Sequence, residues 1–199
     1  MAGKRVGNPL GVALVATVLA GLLTALVLSL VLEDDETPET APAVLTLAPA
    51  PGDGTVPQTD LAGQAAPGFS YEPLDGGDEV DFDSFRAGQP AVINFFAQWC
   101  APCVREMPDF EAAFGDYGDA VAFLGLSYNE SAADARALVD QTGVTYATGR
   151  DPAGDILARF GGIGMPTTVF ITADGTIATT HTGAIAPAEL RDELDGLLG

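Results

Sequence analysis

The chain has 199 residues, enough for one domain with appendages, and it is strongly acidic, with 28 Asp and Glu against eight Lys and Arg. All 28 acidic residues follow Leu32, together with six of the eight basic residues. The part of the chain after Leu32 therefore has a formal charge of −22. We therefore expect neither nucleic acid nor an anionic lipid surface to be its partner. Such a charge is expected to keep this part of the chain soluble, or alternatively to attract basic protein substrates.

The N-terminal segment predicts a membrane anchor. Residues 10–32 carry no charge and are nearly all Leu, Val, Ala and Gly. As a helix they would span roughly 35 Å, more than the hydrocarbon core of about 30 Å. Lys4 and Arg5 precede the segment and acidic residues follow it, so residues 1–9 are expected in the cytoplasm and the rest outside the cell membrane. A cleavable signal peptide is the alternative, although its apolar region is normally about 7 to 15 residues.

Two further regions follow the predicted transmembrane helix. Residues 33–65 are rich in Pro, Ala, Thr and acidic residues. Such a composition cannot bury a core, so it predicts an extended linker. Residues 66–199 are then long enough for one domain with a well-buried core.

The hydrophobic patterns of this domain predict strands that alternate with helices. Turn residues at 75–78 and 173–175 predict two hairpins. The predicted strands are 69–74, 79–82, 91–96, 121–127, 144–147, 167–172 and 176–182, and the predicted helices are 100–114, 131–141, a short one from 151, and 187–198. This order indicates an α/β sandwich with a mixed sheet.

The chain has two cysteines, Cys100 and Cys103, directly after the apolar run 91–96. A helix that begins at Cys100 would place this thiol among unpaired backbone N–H groups, which favour a thiolate. Cys103 lies one turn further on and can reach the first sulfur, so the pair can cycle between dithiol and disulfide. A structural disulfide is one alternative. Half of a zinc site is another, with His181 and carboxylates as the further ligands.

Three segments together resemble a known family: Asn94 to Cys103 (NFFAQWCAPC), Glu106 to Pro108 (EMP) and Gly164 to Ile171 (GMPTTVFI). They are similar to the TlpA/ResA-like branch of the thioredoxin superfamily, over about residues 65–199. The resemblance implies a thioredoxin-like α/β fold with an N-terminal β-hairpin and a central strand-helix insertion at about 121–147. It also implies that the protein is a thiol-disulfide oxidoreductase. Such an enzyme needs no metal or cofactor, because its redox-active group is the disulfide itself.

The resemblance gives the motif residues their expected roles. Cys100 is the attacking thiol, and Cys103 resolves the mixed disulfide that forms with a substrate. Ala101 and Pro102 affect the reduction potential through the rigidity of the backbone and the N–H groups directed at the sulfurs. Pro102 is equally consistent with a simple proline at the start of a helix.

Four further residues are expected around the pair. Glu106 supplies a carboxylate that modulates the cysteine pKa values or moves a proton, unless it is an exposed acid on the helix face. Trp99 shields the thiols and offers a contact patch, unless it packs in the core. Met165 and Pro166 are joined by a cis bond that faces the disulfide, leaving the Met165 backbone free to pair with an extended substrate. The alternative is a trans proline at the start of a strand.

Other polar residues are assigned no chemistry. Asn94 stands where thioredoxin has a buried Asp, so proton transfer by that Asp is not expected here. His181 is interpreted as an ordinary surface residue, and Tyr128, Asn129 and Glu130 are interpreted as loop-forming.

The residues and the resemblance predict a membrane-anchored, extracytoplasmic enzyme that reduces protein disulfides, with apocytochrome c as a suggested substrate and a membrane thiol donor that re-reduces the pair. An oxidase that installs disulfides would differ in reduction potential. A thiol peroxidase is a further alternative, but such enzymes carry Thr where this chain has Ala97. A copper-handling or tethered binding protein is the non-enzymatic alternative, although related proteins of that kind space their cysteines one residue further apart.

Overall fold

The computed structural model describes residues 61–199, which form seven strands and five helices. The strands are β1 (Ser70–Pro73), β2 (Val80–Asp81), β3 (Ala91–Phe96), β4 (Ala122–Tyr128), β5 (Ala147–Asp151), β6 (Thr167–Ile171) and β7 (Ile177–Thr182). The helices are α1 (Phe82–Arg86), α2 (Ala101–Tyr117), α3 (Ala132–Thr142), α4 (Asp155–Arg159) and α5 (Pro187–Leu198).

The predicted anchor at residues 10–32 and most of the predicted linker lie outside the described residues. Within residues 61–199, none of the helices combines the length and the apolar character that crossing a bilayer requires. Residues 61–65, assigned by sequence to the end of the linker, contact the sheet. The N–H of Gly63 donates to the carbonyl of Ile177 at 2.8 Å, and Ala65 forms a bridge with Thr176.

The strands form one mixed sheet in the order β2-β1-β5-β4-β3-β6-β7. The three central strands β3, β4 and β5 are parallel, while β6 and β7 add antiparallel strands on one side. The β1–β2 hairpin pairs antiparallel with β5 on the other side. The predicted α/β class, the mixed sheet and the N-terminal hairpin are therefore observed, and the segment 121–147 contains a strand and a helix as expected.

Strand β3 is buried on both faces, which explains its continuous apolar sequence. Ala91, Ile93 and Phe95 face a core closed by α1 and α4. Val92 and Phe96 face a second core, closed by α2, α3 and α5. Because side chains alternate along a strand, Asn94 lies on the same face as Val92 and Phe96, towards α2.

Two sequence predictions were wrong in detail. The end of the predicted strand 79–82 instead begins α1, where Asp81 caps the helix by accepting from the N–H of Ser84 and Phe82 is buried. The predicted strand 144–147 is shifted to β5. Val144 and Tyr146 are buried ahead of it, whereas the more polar β5 is held by backbone pairing with β1 and β4 on its two sides.

Candidate active site

The two cysteines lie at the junction of β3 and α2. Cys100 is the N-cap of α2, a helix of 17 residues, and it forms a disulfide with Cys103, with the Cα atoms 5.3 Å apart. The N–H of Cys103 donates to the sulfur of Cys100 at 3.3 Å. Cys100 retains 4% of its surface and Cys103 none. When the disulfide is reduced, this N–H and the helix N-terminus favour a thiolate on Cys100, the more exposed of the two cysteines.

An apolar groove lies beside this junction. Trp99 directly precedes Cys100, is 61% exposed, and meets the ring of Tyr128 edge-on at 6.2 Å. The groove has a volume of about 370 Å³ and is lined by Trp99, Tyr128, Leu157, Gly162, Ile163, Gly164 and Met165. Trp99 is therefore a surface residue, and the alternative in which it packs in the core is wrong.

The segment that leads into β6 forms the opposite wall of the groove. The peptide bond between Met165 and Pro166 is cis. Met165 packs against both cores, one of which contains the two cysteines. The hydroxyl of Thr167 donates to the carbonyl of Gly164 at 2.7 Å, and the N–H of Gly183 donates to the carbonyl of Pro166 at 2.9 Å. These bonds hold the segment in place.

Glu106 lies one turn after Cys103 and is buried between α2 and β3. Asn94 donates from Nδ2 to Oε1 at 2.9 Å, and the backbone N–H of Ile185 donates to Oε2 at 3.2 Å. Burial raises the pKa of Glu106 to about 7, the two donors act against this rise, and the charge of Asp109 adds to it. Because Glu106 is only 4% exposed, the alternative of an exposed helix-face acid is wrong.

Residues 62–180 match the family model described as the AhpC/TSA family. The chain belongs to the AhpC/TSA family. The thiol-disulfide oxidoreductase ResA of Halalkalibacterium halodurans is 30% identical to this chain over 125 residues, which cover 62% of this chain and 70% of that protein. The thiol:disulfide interchange protein HelX of Rhodobacter capsulatus is 31% identical over 143 residues, which cover 70% and 78%.

A solved structure agrees with these relatives. A secreted disulfide oxidoreductase of Mycobacterium tuberculosis, described as homologous to DsbE of E. coli, aligns with a TM-score of 0.59 at 29% identity and covers 65% of this chain and 96% of that one. The resemblance predicted from sequence is thereby confirmed. With the Cys100–Cys103 disulfide, these similarities show that this AhpC/TSA-family chain is a thiol-disulfide oxidoreductase with a thioredoxin-like fold.

The sequence analysis did not predict the roles of two polar residues in the active site, Asn94 and Glu130. Asn94 was noted as a departure from thioredoxin, but its hydrogen bond to Glu106 was not predicted. Glu130 accepts from the N–H of Gln98 at 2.8 Å and from the hydroxyl of Ser127 at 2.7 Å, so it fastens the segment before Trp99 to the end of β4. The position of Glu130 directly after β4 could have predicted this contact, because the carboxyl ends of the parallel strands β3 and β4 lie at the same edge of the sheet.

Three other residues named in the sequence analysis, Ala101, Pro102 and His181, either form the start of α2 or lie away from the cysteines. Ala101 and Pro102 form the first turn of α2, where proline removes an N–H that has no partner within the helix. His181 does not join the cysteines. Its ring contacts Glu189 of α5 and the carbonyl of Ala184.

Proposed function

We propose that this thiol-disulfide oxidoreductase reduces protein disulfides, with Cys100 as the nucleophile. The Cys100 thiolate attacks one sulfur of a substrate disulfide and displaces the other as a thiolate, which takes up a proton. The Cys103 thiolate then attacks the sulfur of Cys100, releases the second substrate thiol and forms the Cys100–Cys103 disulfide. The pair thus transfers two electrons to the substrate. The position of Cys100, capping a helix beside an open apolar groove, is the observation that carries this proposal.

We propose that Glu106 accepts the proton that the Cys103 thiol loses before the second step. Residues three apart on a helix lie on the same face, so Glu106 and Cys103 both point into the buried side of α2. A buried thiol is a poor nucleophile until it is deprotonated. A carboxyl group with a pKa of about 7 accepts such a proton and returns it near neutral pH.

The groove is suited to bind an extended substrate segment. Trp99 and Ile163 are exposed apolar side chains that border the groove, while Met165 offers its backbone at the cis bond. A substrate strand would pair with the Met165 backbone and place an apolar side chain next to its disulfide between Trp99 and Ile163. Trp99, Met165 and Pro166 are thus the substrate-binding residues of the proposal.

We further propose that residues 10–32 anchor the chain in the cell membrane and that residues 33–65 tether the catalytic domain outside it. A membrane thiol donor would then re-reduce the pair. The resemblance to the TlpA/ResA-like branch suggests apocytochrome c as a substrate, because its haem-binding cysteines must be reduced before haem attachment. Normal holocytochrome levels in cells that lack the gene would exclude this substrate.

Single-cysteine variants of the full chain test the catalytic proposal. Cys103→Ser retains the nucleophile but cannot resolve the intermediate, so it should accumulate a mixed disulfide with a labelled, disulfide-linked peptide. Cys100→Ser is the matched control and should trap little peptide, because its remaining sulfur is fully buried. Equal trapping by both variants would contradict the assignment. Rapid turnover of hydrogen peroxide by the wild type would favour the thiol peroxidase alternative, which Ala97 argues against.

A further inference from the structure

The loop between β7 and α5, residues 183–186, joins two parts of the active site. At its start, the N–H of Gly183 donates to the carbonyl of Pro166 at 2.9 Å. Two residues later, the N–H of Ile185 donates to Oε2 of Glu106 at 3.2 Å. The position of this loop therefore affects both the wall of the groove and the buried carboxyl group.

His181 at the end of β7 contacts the same loop. Its Nε2 lies 3.4 Å from the carbonyl oxygen of Ala184, and its Nδ1 lies 3.3 Å from Oε1 of Glu189 on α5. Both neighbours are hydrogen-bond acceptors. A neutral imidazole has one N–H and can donate to one of them, whereas the imidazolium donates to both. The protonated ring therefore ties the loop to β7 and α5 at once.

One peptide group connects His181 to Glu106. The carbonyl of Ala184 and the N–H of Ile185 belong to the same planar unit, so a contact that orients the oxygen also orients the N–H. The oxygen end faces His181, and the N–H end donates to Glu106. Donation to the oxygen also polarises the peptide and strengthens its N–H as a donor.

We propose that His181 is a positioning residue, which holds the Ala184–Ile185 peptide against Glu106 and so stabilises the ionised form of that carboxyl group. This inference rests on the proton-transfer role that we propose for Glu106. Asp109 of α2 and Tyr146 ahead of β5 are further titratable groups that interact with Glu106. Glu189 of α5 is the charged group that faces His181, and the β6 residue opposite, Thr168, carries no charge.

Three substitutions of His181 separate the two contacts of its ring. His181→Phe keeps a ring but has no donor. His181→Gln places an amide nitrogen near the position of Nε2, towards Ala184, whereas His181→Asn places one near Nδ1, towards Glu189. The pKa of Glu106 is then measured in the oxidised full chain by carboxyl ¹³C NMR, with the signal assigned by its loss in Glu106→Gln.

We expect the pKa of Glu106 to rise by about 0.5 to 1 unit in the Phe and Asn variants, because a hydrogen bond that favours the carboxylate is weakened. The Gln variant should stay close to wild type. An unchanged pKa in His181→Phe would overturn the inference, as would equal values in the Gln and Asn variants. If His181→Phe fails to fold, the Gln and Asn pair decides the question.

The measurement needs no substrate, so it separates this inference from the proposed function. If the wild type fails to exchange thiols but the His181 variants show the expected changes in the pKa of Glu106, the proposed function alone is contradicted. Normal thiol exchange with an unmoved Glu106 pKa would contradict the role of His181 alone.

Discussion

The buried carboxyl group of Glu106 links the stability of the folded domain to pH. Burial raises its pKa from an ordinary value of 4.5 to about 7, although Asn94 and Ile185 both donate to it. Between these two values the folded state keeps a proton that the unfolded state has lost. The stabilising contribution is therefore fully present below pH 4.5 and is lost as the pH rises through 7.

Glu106→Gln tests this linkage, since the amide keeps the shape of the side chain but does not titrate. The free energy of unfolding of the wild type, relative to that of the variant, should fall by about 3 kcal/mol between pH 4 and pH 8. Denaturant unfolding of both oxidised proteins at several pH values measures it. Other carboxyl groups cancel in the comparison, so parallel pH profiles would show that Glu106 titrates normally.

Trp99 provides a second test at the residue scale. Its side chain is largely exposed at the rim of the groove, so Trp99→Ala should leave stability nearly unchanged. We expect kcat/KM for a disulfide-linked peptide to fall about tenfold, because aromatic residues that become buried against a partner carry much of the binding energy. Leu198→Ala is a suitable control, since Leu198 is also an exposed apolar residue but does not line the groove. A similar loss in both variants would remove Trp99 from the binding site.

The elements that carry the site were predictable from local sequence patterns. The apolar run of β3 and the helical spacing of α2 are strong signals, because both elements bury large side chains. Elements with weaker burial patterns were missed or shifted. α1 has five residues and depends on one buried ring and a cap, and β5 depends on backbone pairing on both sides.

The tertiary contacts of the site were not predictable in the same way. The resemblance indicated Glu106 as the acid of the site, but its backbone donor Ile185 is 79 positions away in the sequence. Glu130 lies in a loop whose polar residues are typical of any turn, and its bond to Gln98 exists because two parallel strands end side by side. Local patterns locate such residues on an edge or a face, and the fold decides which of them meet.

Two glycines give matched predictions at the scale of elements. A Cβ at Gly149 of β5 would collide with the buried ring of Tyr71 and lie 3.1 Å from the carbonyl oxygen of Glu72, so Gly149→Ala should destabilise the β1–β5 pairing by about 1 to 3 kcal/mol. Apart from its chain neighbours and its own helix backbone, no heavy atom of the described residues lies within 4 Å of such a Cβ at Gly196 of α5. Gly196→Ala should therefore stabilise the helix by about 0.5 to 1 kcal/mol.

Denaturant unfolding of the two glycine variants beside the wild type measures both effects. Opposite signs are expected, since the first change adds a clash and the second reduces backbone freedom in the unfolded chain. A tolerated alanine at Gly149 would mean that the ring of Tyr71 can move aside, and the packing of the hairpin on β5 would need revision.

At the scale of the whole molecule, the proposed anchor and linker would determine where the redox pair works. The full chain should remain with membranes after a carbonate wash, and deletion of residues 10–32 should release it, because about 20 apolar residues are needed to hold a helix in a bilayer. Protease added to intact cells should digest the catalytic domain. A domain that is protected in intact cells and digested after lysis would contradict the proposed orientation.

Electron donation by the Cys100–Cys103 pair is tested most directly by its midpoint reduction potential. The full chain is equilibrated in buffers of known redox potential, and its free thiols are counted by alkylation. A reductase of protein disulfides should have a value well below about −220 mV, so that electrons flow from the pair to the substrate. A value near about −120 mV would contradict this direction and identify an oxidase.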